Sequence, residues 1–284
     1  SEGFTSKAGG NHSEINTIKN VKDQSLFKNS TLFVTLEPCC HYGKTPPCTN
    51  EIVKRGIKNV VIGCEDPNPI VKSKGIKYLK DHGVNVTYGI LEDLCKDLHK
   101  RLIVYFEKKR PYIILKWAES FDGFIAPKIK NNKRPYWISN ELSKQIVHKW
   151  RSQEHAIMIG HKTKKNDNAF LDVRNWNNIN NRKFVVGRDL EHQEGFEIIE
   201  TNGKILSAND LSKNLFNKKI QSIIIEGGLF TLNKFIESNI WDEARVFKSN
   251  TKIYDGTSSP KLNLNYHEKT QIDKDTLYHF KNYQ

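Results

Sequence analysis

Apolar residues recur along this chain in two alternating rhythms: short continuous runs that suit strands, and 3.6-residue periods that suit helices. Residues 14–29 carry Ile15, Ile18 and Val21 on one helical face, which predicts a helix. The β-favouring run 31–36 predicts a strand, followed by a loop of Pro, Gly and Cys from Glu37 to Pro47. A helix is expected over 49–55, stopped at Gly56, then a buried strand over 59–63 and a turn at Asp66-Pro67-Asn68-Pro69. Residues 74–82 read as a helix ended by Gly83, 84–88 as a strand and 92–106 as a helix. The rhythm breaks at Lys108-Lys109-Arg110-Pro111, a linker-like stretch, and then restarts. Strands are expected over 112–117, 156–160, 184–187, 222–225 and 243–247, with helices over 140–152 and 229–238 and a turn at Asp122-Gly123. Strands alternating with helices predict two α/β domains, residues 1–107 and 111–284, each built on a mostly parallel sheet.

The 284 residues suffice for two domains of ordinary size, and 37% hydrophobic with 27% charged residues is a folding composition. No run reaches the roughly 18 apolar residues of a membrane span, and the polar start Ser1-Glu2-Gly3-Phe4 carries no secretory signal. The five cysteines are odd in number and cluster early, which makes a poor disulfide framework and a better metal or catalytic set. A reducing cytoplasm is therefore the expected compartment. The formal charge of +13 attracts phosphate, in nucleic acid or in small substrates. The lysines are dispersed, however, and the densest stretch, Lys128 to Arg134, lacks interleaved aromatics. Small phosphorylated substrates are thus preferred over nucleic acid, and no membrane partner is expected.

The sharpest chemistry lies in His12-Ser13-Glu14 with Cys39 and Cys48. Zinc deaminases hold the metal with one His and two Cys and leave a position for water, while a Glu two residues after the His moves protons without binding metal. His12 and Glu14 open a helix and Cys39 follows a strand, so all can face one cavity at the sheet's C-terminal edge. A closed structural zinc site would leave Glu14 without a purpose. Cys40, Cys64 and Cys95 read as small buried residues or loop filler, and His41 as either a substrate contact or a loop brace.

The spacing Cys-x8-Cys departs from the general Cys-x-x-Cys. The run Thr35-Leu36-Glu37-Pro38-Cys39-Cys40-His41-Tyr42-Gly43-Lys44-Thr45-Pro46-Pro47-Cys48, with Asp66-Pro67-Asn68-Pro69 after it, resembles the bifunctional riboflavin-biosynthesis deaminase–reductase family. The resemblance implies a cytidine-deaminase-like three-layer domain followed by a dihydrofolate-reductase-like α/β domain. It implies zinc on His12, Cys39 and Cys48, with Glu14 as the proton shuttle.

The second half resembles the same family at 115–123, at Trp137-Ile138-Ser139, at His148-Lys149-Trp150-Arg151 and at Ile225-Glu226-Gly227-Gly228. The implied reaction is hydride transfer from NADPH to a ribose phosphate. Ala118, Trp137, Thr163, Asp167 and Gly228 match cofactor-contacting positions, and Arg151, Leu171, Arg174 and Glu226 match substrate-contacting ones. Read without the resemblance, Trp137 is a core residue and Asp167 a turn residue. The Gly pair follows a strand and opens a helix, where backbone N–H groups can meet phosphate. No Gly-x-Gly-x-x-Gly follows a first strand, so a Rossmann domain is not supported.

Three departures stand out. The family's deaminase half begins with a helix and hairpin, including a Pro-Asn-Pro motif at the pyrimidine pocket, that this sequence lacks, which makes it a fragment or an impaired deaminase. The family often has Gly at Ser73 and Pro at Ala169. The stretch 187–220 is short, and Arg188 is the candidate there for the 2′-phosphate of NADPH. Two rival readings are a nucleic-acid-editing deaminase and a deaminase-dead chain with reductase activity alone. A homo-oligomer is compatible with all of them.

Overall fold

The computed structural model describes residues 1–129, 135–174, 176, 181–187, 194–200 and 206–283. Arg188 lies outside the described residues, as does most of the stretch Lys128 to Arg134. The chain divides into two units, Ser1–Lys108 and Lys109–Gln284.

The first unit runs α1 (Ser13–Lys19), a 3-10 turn (Gln24–Asn29), β1 (Thr31–Leu36), α2 (Cys48–Lys54), β2 (Asn59–Cys64), α3 (Lys74–Asp81), β3 (Asn85–Tyr88), α4 (Glu92–Leu98) and α5 (Lys100–Glu107). Its three strands are all parallel, in the order β1-β2-β3, with Leu32 beside Val60 and Val60 beside Val86. Ile18, Leu32, Ile52, Val60, Ile62, Ile76 and Leu79 form the core, and burying each such side chain is worth about 1.5–3 kcal/mol.

Two expected helices are each divided. The one over 14–29 stops at Asn20, and the Asp23 carboxylate accepts the Ser25 N–H at 3.0 Å to start the 3-10 turn. Polar side chains that bond locally compete with helix continuation. The one over 92–106 breaks at His99, whose Nε2 lies 3.0 Å from Thr35 Oγ1. That tertiary contact fixes the bend.

The second unit runs β4 (Tyr112–Glu119), β5 (Phe124–Pro127), α6 (Glu141–Gln153), β6 (Ala156–Gly160), α7 (His161–Asp167), β7 (Arg182–Gly187), β8 (Glu197–Glu200), α8 (Ala208–Asn217), β9 (Ser222–Ile225), α9 (Leu229–Glu237), β10 (Glu243–Lys248), β11 (Gly256–Ser258), β12 (Glu268–Ile272) and β13 (Asp275–Lys281). The main sheet has the order β12-β13-β10-β4-β9-β6-β7-β8. It is parallel from β10 to β8, and β13 and β12 add antiparallel at the other edge. Its centre is fully buried, with Ile113, Leu115, Met158, Phe184, Ile223 and Ile225 in one core. The Asn140 side chain caps α6 by accepting the Ser143 N–H at 2.8 Å, and Ser207 with Asp210 forms a capping box on α8.

Candidate functional sites

In the first unit His12 is the N-cap of α1, Cys48 opens α2, and Cys39 sits in the loop after β1. His12 Nδ1 is 3.4 Å from Cys39 Sγ and 3.3 Å from Cys48 Sγ. The three donor atoms lie within 4.8 Å of one another, close enough to hold one metal ion. Cys39 is fastened to α2 because its Sγ accepts the Cys48 N–H at 3.3 Å and its carbonyl accepts the Thr49 N–H at 3.2 Å. The mutual hydrogen bond of the two thiols holds Cys39 down to about 6 and, with burial, pushes Cys48 up. One nitrogen and two sulfurs, one of them ready to ionise, form a donor set suited to zinc. Glu14 lies in the first turn of α1, 7% exposed, with Ser13 Oγ donating to its Oε2 at 3.0 Å.

Glu37 holds this loop in place. Its buried carboxylate accepts four backbone N–H groups, from Asp66 (3.2 Å), Ser73 (3.0 Å), Gly75 (2.8 Å) and Ile76 (3.1 Å). One acidic side chain thereby ties the segment before Cys39 to the start of α3. Sequence reading passed over it, because a lone Glu inside a motif carries no sign of four donors. Of the remaining cysteines only Cys64 is buried, and Cys40 and Cys95 are half-buried.

In the second unit a cavity of about 1320 Å³ opens where β4, β6, β7 and β9 end. Ala118, Trp137, Arg151, Thr163, Asp167, Leu171, Glu226 and Gly228 all line it; Arg174 is not among its lining residues. Trp137 is 56% exposed and Asp167 is the last residue of α7, so neither fits the core or turn expected without the resemblance. Gly227 and Gly228 are required there. A Cβ on Gly227 would lie 2.7 Å from Ile159 Cα, and one on Gly228, at φ +59, would lie 2.8 Å from Thr163 Oγ1. This bare backbone at the N-terminus of α9 leaves room for a phosphate group.

Arg151 and Glu226 form a two-pronged ion pair, with Nε–Oε1 at 2.6 Å and Nη2–Oε2 at 2.7 Å. Arg151 Nη1 donates to the Asp172 carbonyl at 3.0 Å, so the whole fork is engaged within the protein. Burial pushes the Glu226 carboxyl up, but Arg151 and Lys116 outweigh it and hold it at about 2. Lys116 Nζ stands 3.7 Å from Glu226, and burial lowers the Lys116 ammonium despite that partner. Lys116 also lines the cavity, a role that sequence reading did not assign. Its signal was a charged residue inside the apolar run Tyr112-Ile113-Ile114-Leu115-Lys116-Trp117. Arg174 is 65% exposed at its side chain and donates from Nε to the Asp172 carboxylate at 2.9 Å.

Comparison with known proteins agrees with both halves. Residues 2–64 match the cytidine and deoxycytidylate deaminase zinc-binding region, and residues 111–250 match the RibD C-terminal domain. The riboflavin biosynthesis protein RibD of Actinobacillus pleuropneumoniae is 33% identical over 87% of this chain and 73% of its own length. That of Aquifex aeolicus is 28% identical over 99% of this chain and 88% of its own. Among solved structures, Acinetobacter baumannii RibD superposes with a TM-score of 0.85 at 26% identity, covering 98% of this chain and 87% of the other. A diaminohydroxyphosphoribosylaminopyrimidine deaminase/5-amino-6-(5-phosphoribosylamino)uracil reductase from Thermotoga maritima gives 0.83 at 28%, covering 96% and 86%. This chain belongs to the RibD family of riboflavin biosynthesis enzymes, which join a zinc-dependent deaminase to an NADPH-dependent reductase.

Proposed function

We propose that this chain deaminates a diaminohydroxyphosphoribosylaminopyrimidine in its first unit, residues 1–107, and reduces the ribose of the product to a ribityl chain in its second, residues 111–284. The observation that carries the reading is the His12, Cys39 and Cys48 triangle with buried Glu14 two residues from His12. His12, Cys39 and Cys48 would hold zinc. When bound, the metal supplies a Lewis acid that brings the ionisation of water towards neutral pH. Glu14 moves two protons in turn at its carboxylate: one from the water to the ring nitrogen, then one from the resulting hydroxyl to the departing amine. The balance is a C–NH2 and a water converted to a carbonyl and ammonia.

In the second unit Ala118, Trp137, Thr163, Asp167 and Gly228 would hold NADPH, which supplies hydride. Leu171 and Glu226, from the cavity wall, and Arg174, from the exposed end of the loop that carries Leu171, would contact the phosphorylated substrate. Arg151 serves that side by fixing Glu226 and the Asp172 carbonyl. The hydride and one proton add across the open-chain C1 double bond. The substrates are small phosphorylated pyrimidines, and a reducing cytoplasm would keep the thiols of Cys39 and Cys48 free for metal. No described helix is long and apolar enough to cross a membrane.

The test is ammonia release with zinc supplied and NADPH omitted. Release is expected from the unaltered chain. Glu14→Gln should reduce it by at least about 100-fold, the usual scale for a lost general base, while zinc stays at about one per chain. Equal turnover in that variant rejects the role given to Glu14.

A further inference from the structure

The loop 168–174 is strained and heavily tethered. Asn168 and Leu171 both adopt left-handed backbone, at φ 44 and φ 50, which side-chain-bearing residues rarely do. Such conformations persist where the surroundings over-determine them, and they gather at ligand clamps. Here three of the loop's carbonyls are taken by cationic side chains: Ala169 O by Lys164 Nζ at 2.8 Å, Phe170 O by Lys183 Nζ at 2.8 Å, and Asp172 O by Arg151 Nη1 at 3.0 Å. The last tether differs in kind. His148, one turn before Arg151 on α6, places a single nitrogen, Nδ1, 3.0 Å from the Asp172 carbonyl and 3.1 Å from the Arg174 N–H.

One nitrogen cannot serve both partners at once. Carrying hydrogen it donates to Asp172; bare, it accepts from Arg174. A neutral imidazole offers either arrangement by changing tautomer, whereas the protonated ring has only donors. We propose that His148 is a positioning residue for the reduction, holding Arg174 in place through bare Nδ1, so that acidification releases Arg174 and weakens the grip on the substrate's phosphate. Four charged groups bear on the ring: Arg151 on its own helix, Asp172 and Arg174 on the loop, and Glu226 after β9. Burial, helped by Arg151, holds the imidazole below its ordinary value, so the bare form is available at neutral pH.

The inference rests on Arg174 meeting substrate phosphate, and the experiment separates the two claims. Substrate KM, NADPH KM and kcat of the reduction are measured in the full chain from about pH 5.5 to about 8, spanning the imidazole range. His148→Phe is expected to raise substrate KM roughly three- to tenfold at the alkaline end, the scale of one lost hydrogen bond, with NADPH KM and kcat within about twofold. His148→Asn, whose side-chain oxygen accepts from Arg174 at any pH, should restore most of the loss. It should also lack the extra rise in KM that the unaltered chain shows on acidification. The substrate phosphate titrates near pH 6 in every variant, so the difference between profiles isolates the ring. Identical profiles for the unaltered chain and His148→Asn overturn the inference even if the Phe variant does not fold. If Arg174→Ala raises substrate KM and His148→Phe does not, the inference alone falls. If Arg174→Ala leaves KM unchanged, the phosphate role of Arg174 falls and takes the inference with it.

Discussion

Glu37 and Ser73 show how much a single position decides in the first unit. Four backbone N–H groups converge on the Glu37 carboxylate, and an amide in its place would turn an NH2 towards two of them. Glu37→Gln is therefore expected to cost about 1–3 kcal/mol of stability, the penalty of buried donors left unpaired, read as a lower denaturation midpoint. Zinc affinity should fall with it, because Cys39 is two residues away. Ser73, one of the four donors, sits at φ 60 in the left-handed region, where a Cβ is unfavourable. Gly would adopt this conformation without that cost. His12, Glu14, Cys39 and Cys48 stood out in the sequence as candidates because metal chemistry fixes residue type and spacing together, and the structure brings the donor atoms of His12, Cys39 and Cys48 within 4.8 Å of one another. Glu37, Lys116 and His148 did not stand out, because their partners are backbone atoms and distant side chains that only the fold brings near.

Among the elements, the Gly227-Gly228 turn is the tightly constrained one that borders the cavity. β9 and β6 are neighbours, and the Cβ that Gly227 lacks would enter the backbone of Ile159 and Gly160. Gly227→Ala should push the start of α9 away from the cavity. The expected result is at least a tenfold rise in NADPH KM with ammonia release unchanged; an unaltered NADPH KM would show that the turn has slack. Most strands and long helices were legible from apolar rhythm. Of the elements that the sequence did not mark, α8 carries a helical rhythm, with Ala208, Leu211 and Leu215 buried on one face, but several others lack any. α7 buries no residue, β12 is almost wholly exposed, and β5 and β11 are only four and three residues long. β13, with Leu277, Tyr278 and Phe280, carried a readable alternation that was overlooked.

At the scale of the molecule, the candidate metal ligands His12, Cys39 and Cys48 all lie in Ser1–Lys108 and the cavity's lining all in Lys109–Gln284. Chelation should therefore abolish ammonia release and leave reduction of the already deaminated substrate within about twofold, with activity returning on added zinc. Loss of both activities together would reveal coupling that this division of residues does not predict. The restart of the apolar rhythm after Pro111 marked the change from one unit to the next. Which strands pair was not legible, since β4 lies between two strands that come far later in the chain.

That placement of β4 bears on how the chain folds during synthesis. The first unit closes with sequentially neighbouring strands, and its candidate metal ligands have all emerged by Cys48. β4 must remain without sheet partners until Ser222–Ile225 and Glu243–Lys248 have been made. Pairings so distant in sequence form slowly, and an apolar strand that waits for them is open to association with other chains. Tyr112–Trp117 is thus a segment of this enzyme in need of protection on the ribosome, although in the finished molecule five of its six residues are buried.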